Sequence, residues 1–390
     1  MAPKRNSIGS IKHQTATIKV VGIGGAGNNA ITRMKKDFFK GVDFIAINTD
    51  TQDLEFCDAD LKIHIGKNLT KGLGTGMNPD LGRQAAEETR AEIIEALKGA
   101  DLVFITAGLG GGTGTGAAPI VAEAAKELGA LTIAVVTKPF TFEGSQRAKV
   151  AQEGFIKLKD KVDTLITVPN DRIFAVIQKD TTMVKAFEIV DGILRDAIQG
   201  IADLIAMPGI INVDFADVKT IMENAGSALV GIGLESGQER AVAAATQAVN
   251  SPLLEISIQG AKGILFGVSG AKDIKMNEIN DIAKMIADAA DPSAKIIFGA
   301  YHDKKMKQGF IKVTIIATGF NGISAITGPT AVMPDLFSAV NERKPELKSR
   351  TEEKKEAAEE VRTVKSKQDH SNKKNEDVWD IPTFLRRKKK

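Results

Sequence analysis

A single cysteine, a single tryptophan, four scattered histidines and an aromatic share of 5% limit what this 390-residue chain can do. With Cys57 alone, no disulfide can close within the chain, which suits a reducing compartment. Neither histidine nor cysteine recurs at metal-ligand spacing, so no cage of protein ligands is expected. No apolar run approaches the roughly 20 residues of a membrane helix, and the opening MAPKRNSIGSIKHQTAT has no apolar signal core. A soluble cytoplasmic protein is expected. The formal charge of +3 is too small to argue for nucleic acid, and the absence of G-x-x-x-x-G-K-S/T excludes a P-loop NTPase.

Glycine, by contrast, is abundant, and its placement is ordered. The stretch Gly108-Leu109-Gly110-Gly111-Gly112-Thr113-Gly114-Thr115-Gly116-Ala117-Ala118-Pro119 follows an apolar run, Leu102 to Ala107, that reads as a buried strand. A helical pattern, Ile120 to Leu128, comes next. Strand, glycine loop and helix make a phosphate site, because glycines let successive N–H groups converge on an anion at a helix N-terminus. Thr113 and Thr115 add hydroxyl donors.

The same logic applies upstream. Thr17 to Ile23 reads as a strand, followed by Gly22-Ile23-Gly24-Gly25-Ala26-Gly27-Asn28-Asn29 and a helix. Gly22, Gly24 and Gly27 satisfy the dinucleotide fingerprint, and Asp50 follows the next strand near the expected distance. Asn28 and Asn29, however, place amides where they could bond phosphate or base. A third glycine turn, Gly72 to Pro79, then lies in the same region. A nicotinamide cofactor needs one such loop; three suggest a triphosphate surrounded by backbone donors.

Strands and helices go on alternating, with a helix near Asp80 to Leu97, a strand Leu131 to Thr137 and a strand Val162 to Val168. This pattern predicts a mostly parallel sheet covered on both faces, with ligand beyond the carboxyl ends of its strands. Glu143 and Arg147, four apart, are expected on one helix face, either as a surface pair or as contacts to ribose and phosphate.

Residues 181 to 206 form a long helix with Met183, Phe187, Val190, Leu194, Ile198, Ile201 and Ile205 at helical spacing, expected to be largely buried and ended by Pro208-Gly209. Asp191 inside it needs a partner, either a structural one or the N1–H and N2–H₂ donors of guanine. Asp214 and Asp217 follow, and capping the next helix is one use for them. From 207 to 320 a second, smaller α+β domain is expected, with antiparallel hairpins at its end.

Asn341 to Asp377 carries 11 Lys or Arg against 10 Asp or Glu and five Leu, Val and Ala residues, too little apolar surface to fold. Val378 to Leu385 then gathers the only tryptophan with Ile381, Pro382, Phe384 and Leu385, and the chain ends in five basic residues. Such a cluster on a charged tail reads as a peptide for a partner groove, its basic end favouring an acidic or anionic-lipid surface.

The Gly110 to Gly116 stretch, GGGTGTG, is the signature of the tubulin/FtsZ family, and residues 17 to 320 resemble that family closely, in its bacterial cell-division branch. The terminal DIPTFLR resembles its recognition peptide. The resemblance implies a polymerising, cytoskeletal GTPase that binds GTP or GDP with Mg²⁺. Gly25, Ala26, Gly27, Asn28 and Asn29 would serve the phosphates, together with Gly110, Gly111, Gly112, Thr113, Gly114, Thr115 and Gly116. Glu143 and Arg147 would lie near the ribose. Phe187 would stack on the guanine, with Asn170 and Asp191 reading its edge, and Asn212, Asp214 and Asp217 match the catalytic loop.

It also implies a mid-cell ring beneath the membrane, and a membrane-attached adaptor of the FtsA, ZipA or SepF kind held through Trp379, Ile381, Pro382, Phe384 and Leu385. The implied order is a disordered N-terminus (1–15), a GTP-binding domain (16–180), a central helix (181–206), the α+β domain (207–320), a flexible linker (321–376) and the peptide (377–390). From Asp191 the helix carries the chain roughly 24 Å to residue 207 at about 1.5 Å per residue. Asp214 and Asp217 should therefore miss their own subunit's γ-phosphate and reach a neighbour's in a head-to-tail stack. Two alternatives stay open: a tubulin-like filament serving DNA segregation or cell shape, and an NAD-dependent oxidoreductase resting on Gly22, Gly24 and Gly27.

Overall fold

The computed structural model describes residues 16–36, 38, 41–178, 180–207, 209–252 and 257–320. The expected disordered N-terminus, Pro208, the linker and the terminal peptide with Trp379, Ile381, Pro382, Phe384 and Leu385 lie outside these residues.

The first half runs β1 (Ile18–Ile23), α1 (Gly24–Met34), β2 (Val42–Asn48), α2 (Thr51–Phe56), β3 (Leu61–His64), α3 (Lys67–Thr70), α4 (Pro79–Glu88), α5 (Arg90–Leu97), β4 (Leu102–Gly108), α6 (Gly112–Glu127) and β5 (Leu131–Lys138). Then come α7 (Ser145–Lys159), β6 (Thr164–Pro169), α8 (Met183–Ala206) and α9 (Phe215–Met222). The second half adds β7 (Gly226–Ser236), α10 (Arg240–Val249), β8 (Gly263–Gly270), α11 (Met276–Ala289), β9 (Lys295–His302) and β10 (Phe310–Thr318). Strands β1, β4 and β5 are apolar on both faces, as parallel strands covered by helices on each side must be, and their side chains divide between two core clusters.

Among the described residues ten strands form one sheet, in the order β3-β2-β1-β4-β5-β6-β7-β10-β8-β9. Parallel pairing runs from β3 through to β7. The sheet therefore continues from the first half into the second. The hairpins expected near the end do not form: β9 and β10 are consecutive but do not pair, and β10 instead inserts antiparallel between β7 and β8. The cause is its sequence. Ile311, Val313, Ile315 and Ala317 face one core cluster, and on the other face Ile316 joins a second cluster while Thr314 and Thr318 are buried, so this strand is covered on both faces and belongs inside a sheet, not at an edge. The helix expected from Asp80 to Leu97 is broken at Thr89 into α4 and α5.

Helix α8 spans 24 residues, roughly 36 Å. Its burial is less complete than the spacing implies. From Val190 onward one face is core, but Met183 and Val184 in its first turn are exposed. Further along, Asp203 is buried and accepts a hydrogen bond from the Tyr301 hydroxyl at 3.2 Å, which joins the helix to β9.

Close backbone contact fixes α10 on β7. A Cβ on Gly233 would lie 1.9 Å from the Ala244 carbonyl oxygen, so only glycine admits this approach. Gly233→Ala is expected to cost about 1–3 kcal/mol in urea unfolding through overpacking; unchanged stability would mean that α10 moves off the sheet freely.

Candidate functional site

Two helices begin at the carboxyl ends of adjacent parallel strands, and both begin with glycine. α1 starts at Gly24 after Ile23, and α6 starts at Gly112 after Gly111. Neither receives a side-chain cap and neither has an acidic residue in its first turn. The first N–H groups of a helix have no partner within it and carry partial positive charge. The two starts abut: Gly24 has φ +69°, and a Cβ there would lie 3.0 Å from the Gly114 nitrogen. Unpaired donors from both helices thus open onto one cavity of about 770 Å³, a volume in the range of nucleotide and cofactor sites.

Of the residues named from the sequence, Gly25, Ala26, Asn29, Gly111, Gly112, Thr113, Gly114, Glu143, Arg147, Asn170, Phe187 and Asp191 line this cavity. Two of them hold buried polar atoms without a hydrogen-bond partner, Asn170 Oδ1 and Arg147 Nε. Such atoms normally find a partner, so they point to a ligand.

Gly27, Asn28, Gly110, Thr115 and Gly116 stand behind the lining instead. Neighbouring residues on a helix point about 100° apart, so Asn29 faces the cavity while Asn28 is buried and donates to Asp53 at 3.3 Å. Thr115 Oγ1 accepts from the Gly110 nitrogen at 2.9 Å and ties the loop to its own helix. Gly27 and Gly116 serve packing: a Cβ would lie 2.4 Å from the Thr106 carbonyl oxygen or 2.0 Å from that of Pro79. Asp50, the acidic residue of the dinucleotide fingerprint, caps α2 by accepting from Gln52 and Asp53. It does not line the cavity.

Glu143 and Arg147 do not share a helix. Glu143 closes a 3-10 turn, Thr141–Glu143, and Gly144 at φ +98° separates it from α7. The two side chains nevertheless ion-pair at 2.9 Å on the cavity wall. They form an ion pair, and that pair lines the cavity.

Sequence reasoning singled out neither Arg33 nor Thr75. Arg33, near the end of α1, lines the cavity and pairs with Asp191. Thr75, on the third glycine loop, lies against Gly112 and Thr113. The loop was legible as glycine-rich, but nothing marked its threonine. From Gly24 to Arg33 α1 rises about 13 Å, so the N–H donors and the Arg33–Asp191 pair lie at different ends of an elongated site. Phe187 lies beside the latter, its ring edge-on to Phe140 at 5.6 Å.

Asn212, Asp214 and Asp217 do not line the cavity. They are exposed on the loop and helix beyond the far end of α8. Asn212 Oδ1 accepts from the Gly209 nitrogen at 2.7 Å. Asp214 occupies the N-cap position of α9, yet its carboxylate bonds none of that helix's N–H groups. Capping does not explain it.

Burial pushes the Asp191 carboxyl up to about 6, against the opposing pull of Arg33 and with help from Glu188. Because the folded value exceeds the usual 3.8, the folded state holds this proton more tightly, and ionising Asp191 costs stability as pH rises from about 4 through 6. Arg33→Ala should move this titration above 6, read from the carboxyl carbon by NMR; a downward move would contradict the pairing.

Comparison with known proteins agrees with this geometry. Residues 17–178 match the Tubulin/FtsZ family, GTPase domain, and residues 226–321 match the FtsZ family, C-terminal domain. The structure of an empty FtsZ dimer from M. jannaschii is 46% identical, with a TM-score of 0.76, covering 80% of this chain and 90% of that one. CetZ2 from Haloferax volcanii, solved as a GTPγS-bound protofilament, shares the fold at 20% identity and a TM-score of 0.67, over 77% of this chain and 92% of that one. CetZ1 from the same organism, a GDP-bound monomer, shares it at 21% and 0.69, over 79% and 96%. With family matches on both sides of α8 and a glycine-built cavity between two helix N-termini, the chain belongs to the tubulin/FtsZ family and is a GTPase with an FtsZ-type fold.

Proposed function

We propose that this GTPase works as a head-to-tail polymer in which each subunit supplies Asn212, Asp214 and Asp217 to the nucleotide of its neighbour. One observation carries the reading: α8 lines the cavity from Met183 only as far as Leu194, and the exposed acidic loop follows its other end at Ala206, about 18 Å further along the helix. Neither end is complete alone. A contact that joins unlike surfaces repeats without closing and builds a filament.

The two ends also suit contact with protein. Phe142, Phe174, Val176, Met183 and Val184 are exposed around the cavity side, and Ile210 is exposed beside Asn212. Surfaces of this kind are covered in assemblies. The M. jannaschii relative was solved as a dimer, and the CetZ2 neighbour as a protofilament.

In this reading residues 16–180 bind the nucleotide, α8 links it to the acidic loop, and residues 207–320 complete the next contact. The backbone from Gly25 to Asn29 and from Gly110 to Gly116 surrounds the triphosphate, Glu143 and Arg147 meet the ribose, Phe187 stacks on the guanine, and Asn170 and Asp191 read its edge. Among the described residues no group of three or more His, Cys, Asp and Glu could cage a metal, and the lining carboxylates Glu143 and Asp191 are already paired with arginines. Mg²⁺ fits here as an ion held mainly by phosphate oxygens and water, and it would neutralise charge on the phosphates. The neighbour's Asp214 and Asp217 accept from and orient the attacking water. Loss of the terminal phosphate weakens the contact it helped to build, and subunits turn over.

The division-ring reading adds the tail. Among the described residues no helix is long and apolar enough to cross a membrane. The peptide containing Trp379, Ile381, Pro382, Phe384 and Leu385 would link the filament to a membrane-attached adaptor at mid-cell. A related reading is a tubulin-like filament for shape or segregation, since the CetZ neighbours share the fold; the adaptor-type peptide favours division.

Asp214→Ala should bind GTP as the parent does and lose turnover by about 100-fold or more, the scale on which removal of a positioned transition-state group acts. Loss of nucleotide binding instead would place Asp214 at its own subunit's site and contradict the reading.

A further inference from the structure

Three hydroxyls meet at the phosphate end of the cavity. Thr113 Oγ1 lies 2.7 Å from Thr49 Oγ1 and 3.2 Å from Thr75 Oγ1. All three side chains are buried, yet Thr75 and Thr113 still line the cavity. Thr75 is held tightly against the start of α6, since a Cβ on Gly112 would lie 2.1 Å from its hydroxyl oxygen.

A hydroxyl has one proton to give and two lone pairs with which to accept. If Thr113 gives its proton to an anion in the cavity, it must accept from both Thr49 and Thr75. All three O–H dipoles then align toward the anion and strengthen one another. Without an anion in reach, Thr113 can donate to either neighbour, and the alignment is lost. Thr49 is wholly buried behind the site. Thr75 instead sits on a loop whose residues Gly74, Gly76 and Met77 take positive φ, and its contacts are with Gly112, Asn78 and Thr113 rather than with Asp191 or Phe187.

We propose that Thr75 is a positioning residue for the terminal phosphate: by donating to Thr113 it turns the Thr113 hydroxyl toward that phosphate and makes the site prefer the triphosphate over the diphosphate. The proposal rests on the reading that Gly112 to Gly114 hold the phosphates. It gives the third glycine loop a chemical role beyond closing the cavity.

The test is nucleotide affinity, measured by displacement of a fluorescent nucleotide at protein concentrations below assembly, with GTPγS and GDP as competitors. Thr75→Val, which keeps the shape and removes the donor, should weaken GTPγS binding about tenfold and GDP binding less than about twofold. Thr75→Ser should retain the parent's ratio. Equal weakening of both nucleotides, no change in either, or a serine variant as impaired as the valine variant would overturn the proposal. Thr113→Val separates the two levels. If it leaves both affinities unchanged, the Thr113 hydroxyl meets no phosphate and the proposal falls, while the backbone N–H groups can still hold the phosphates. If it weakens binding while Thr75→Val leaves the ratio untouched, Thr75 has no positioning role and the phosphate site stands.

Discussion

The peptide dipoles of α1 and α6 end beside each other, where Gly24 takes a positive φ and a Cβ on it would lie only 3.0 Å from the Gly114 nitrogen. Placing two positively polarised helix ends together is unfavourable unless an anion lies between them. The rest of the first half exists to hold that arrangement. β1 and β4 are paired in register so that Ile23 lies opposite Ala107, and both strands release their chains toward the same point. The glycines on either side are then explained by contact rather than by flexibility.

From that point α8 acts as a spacer. Its first turns are exposed on the cavity side, its later turns are core, and the loop it leads to carries the exposed Asn212, Asp214 and Asp217. A rigid helix of 24 residues keeps the nucleotide and the acidic loop apart in one subunit at a fixed distance. The same rigidity would bring them together between subunits. In the proposed polymer, catalysis and assembly would be two descriptions of one contact.

Much of this was legible in the residues, because each legible feature had a local cause. The glycine loops, the alternation of strands and helices and the long helix each arise from a short stretch of sequence. What was not legible depended on contacts distant in the chain. Nothing near Asp191 announces Arg33, 158 residues away, and nothing near Thr75 announces Thr113. Asn28 and Asn29 look equivalent in sequence, but helix geometry sends one inward and the other to the cavity. The hairpins expected at the end of the chain's second half give way to β10 pairing with β7 and β8, because adjacency in sequence is a weaker constraint than burial on both faces. The expectation of a largely buried α8 failed only where the helix borders the site.

The central claim is that the active site is built between subunits. It is tested most directly by measuring GTP turnover per subunit, with Mg²⁺ present, as the protein is diluted. The account predicts negligible specific activity at low concentration and a rise above a threshold at which filaments form. Specific activity that stays constant to great dilution would show each subunit to be complete alone, and Asp214 and Asp217 would have no neighbour's nucleotide to act on.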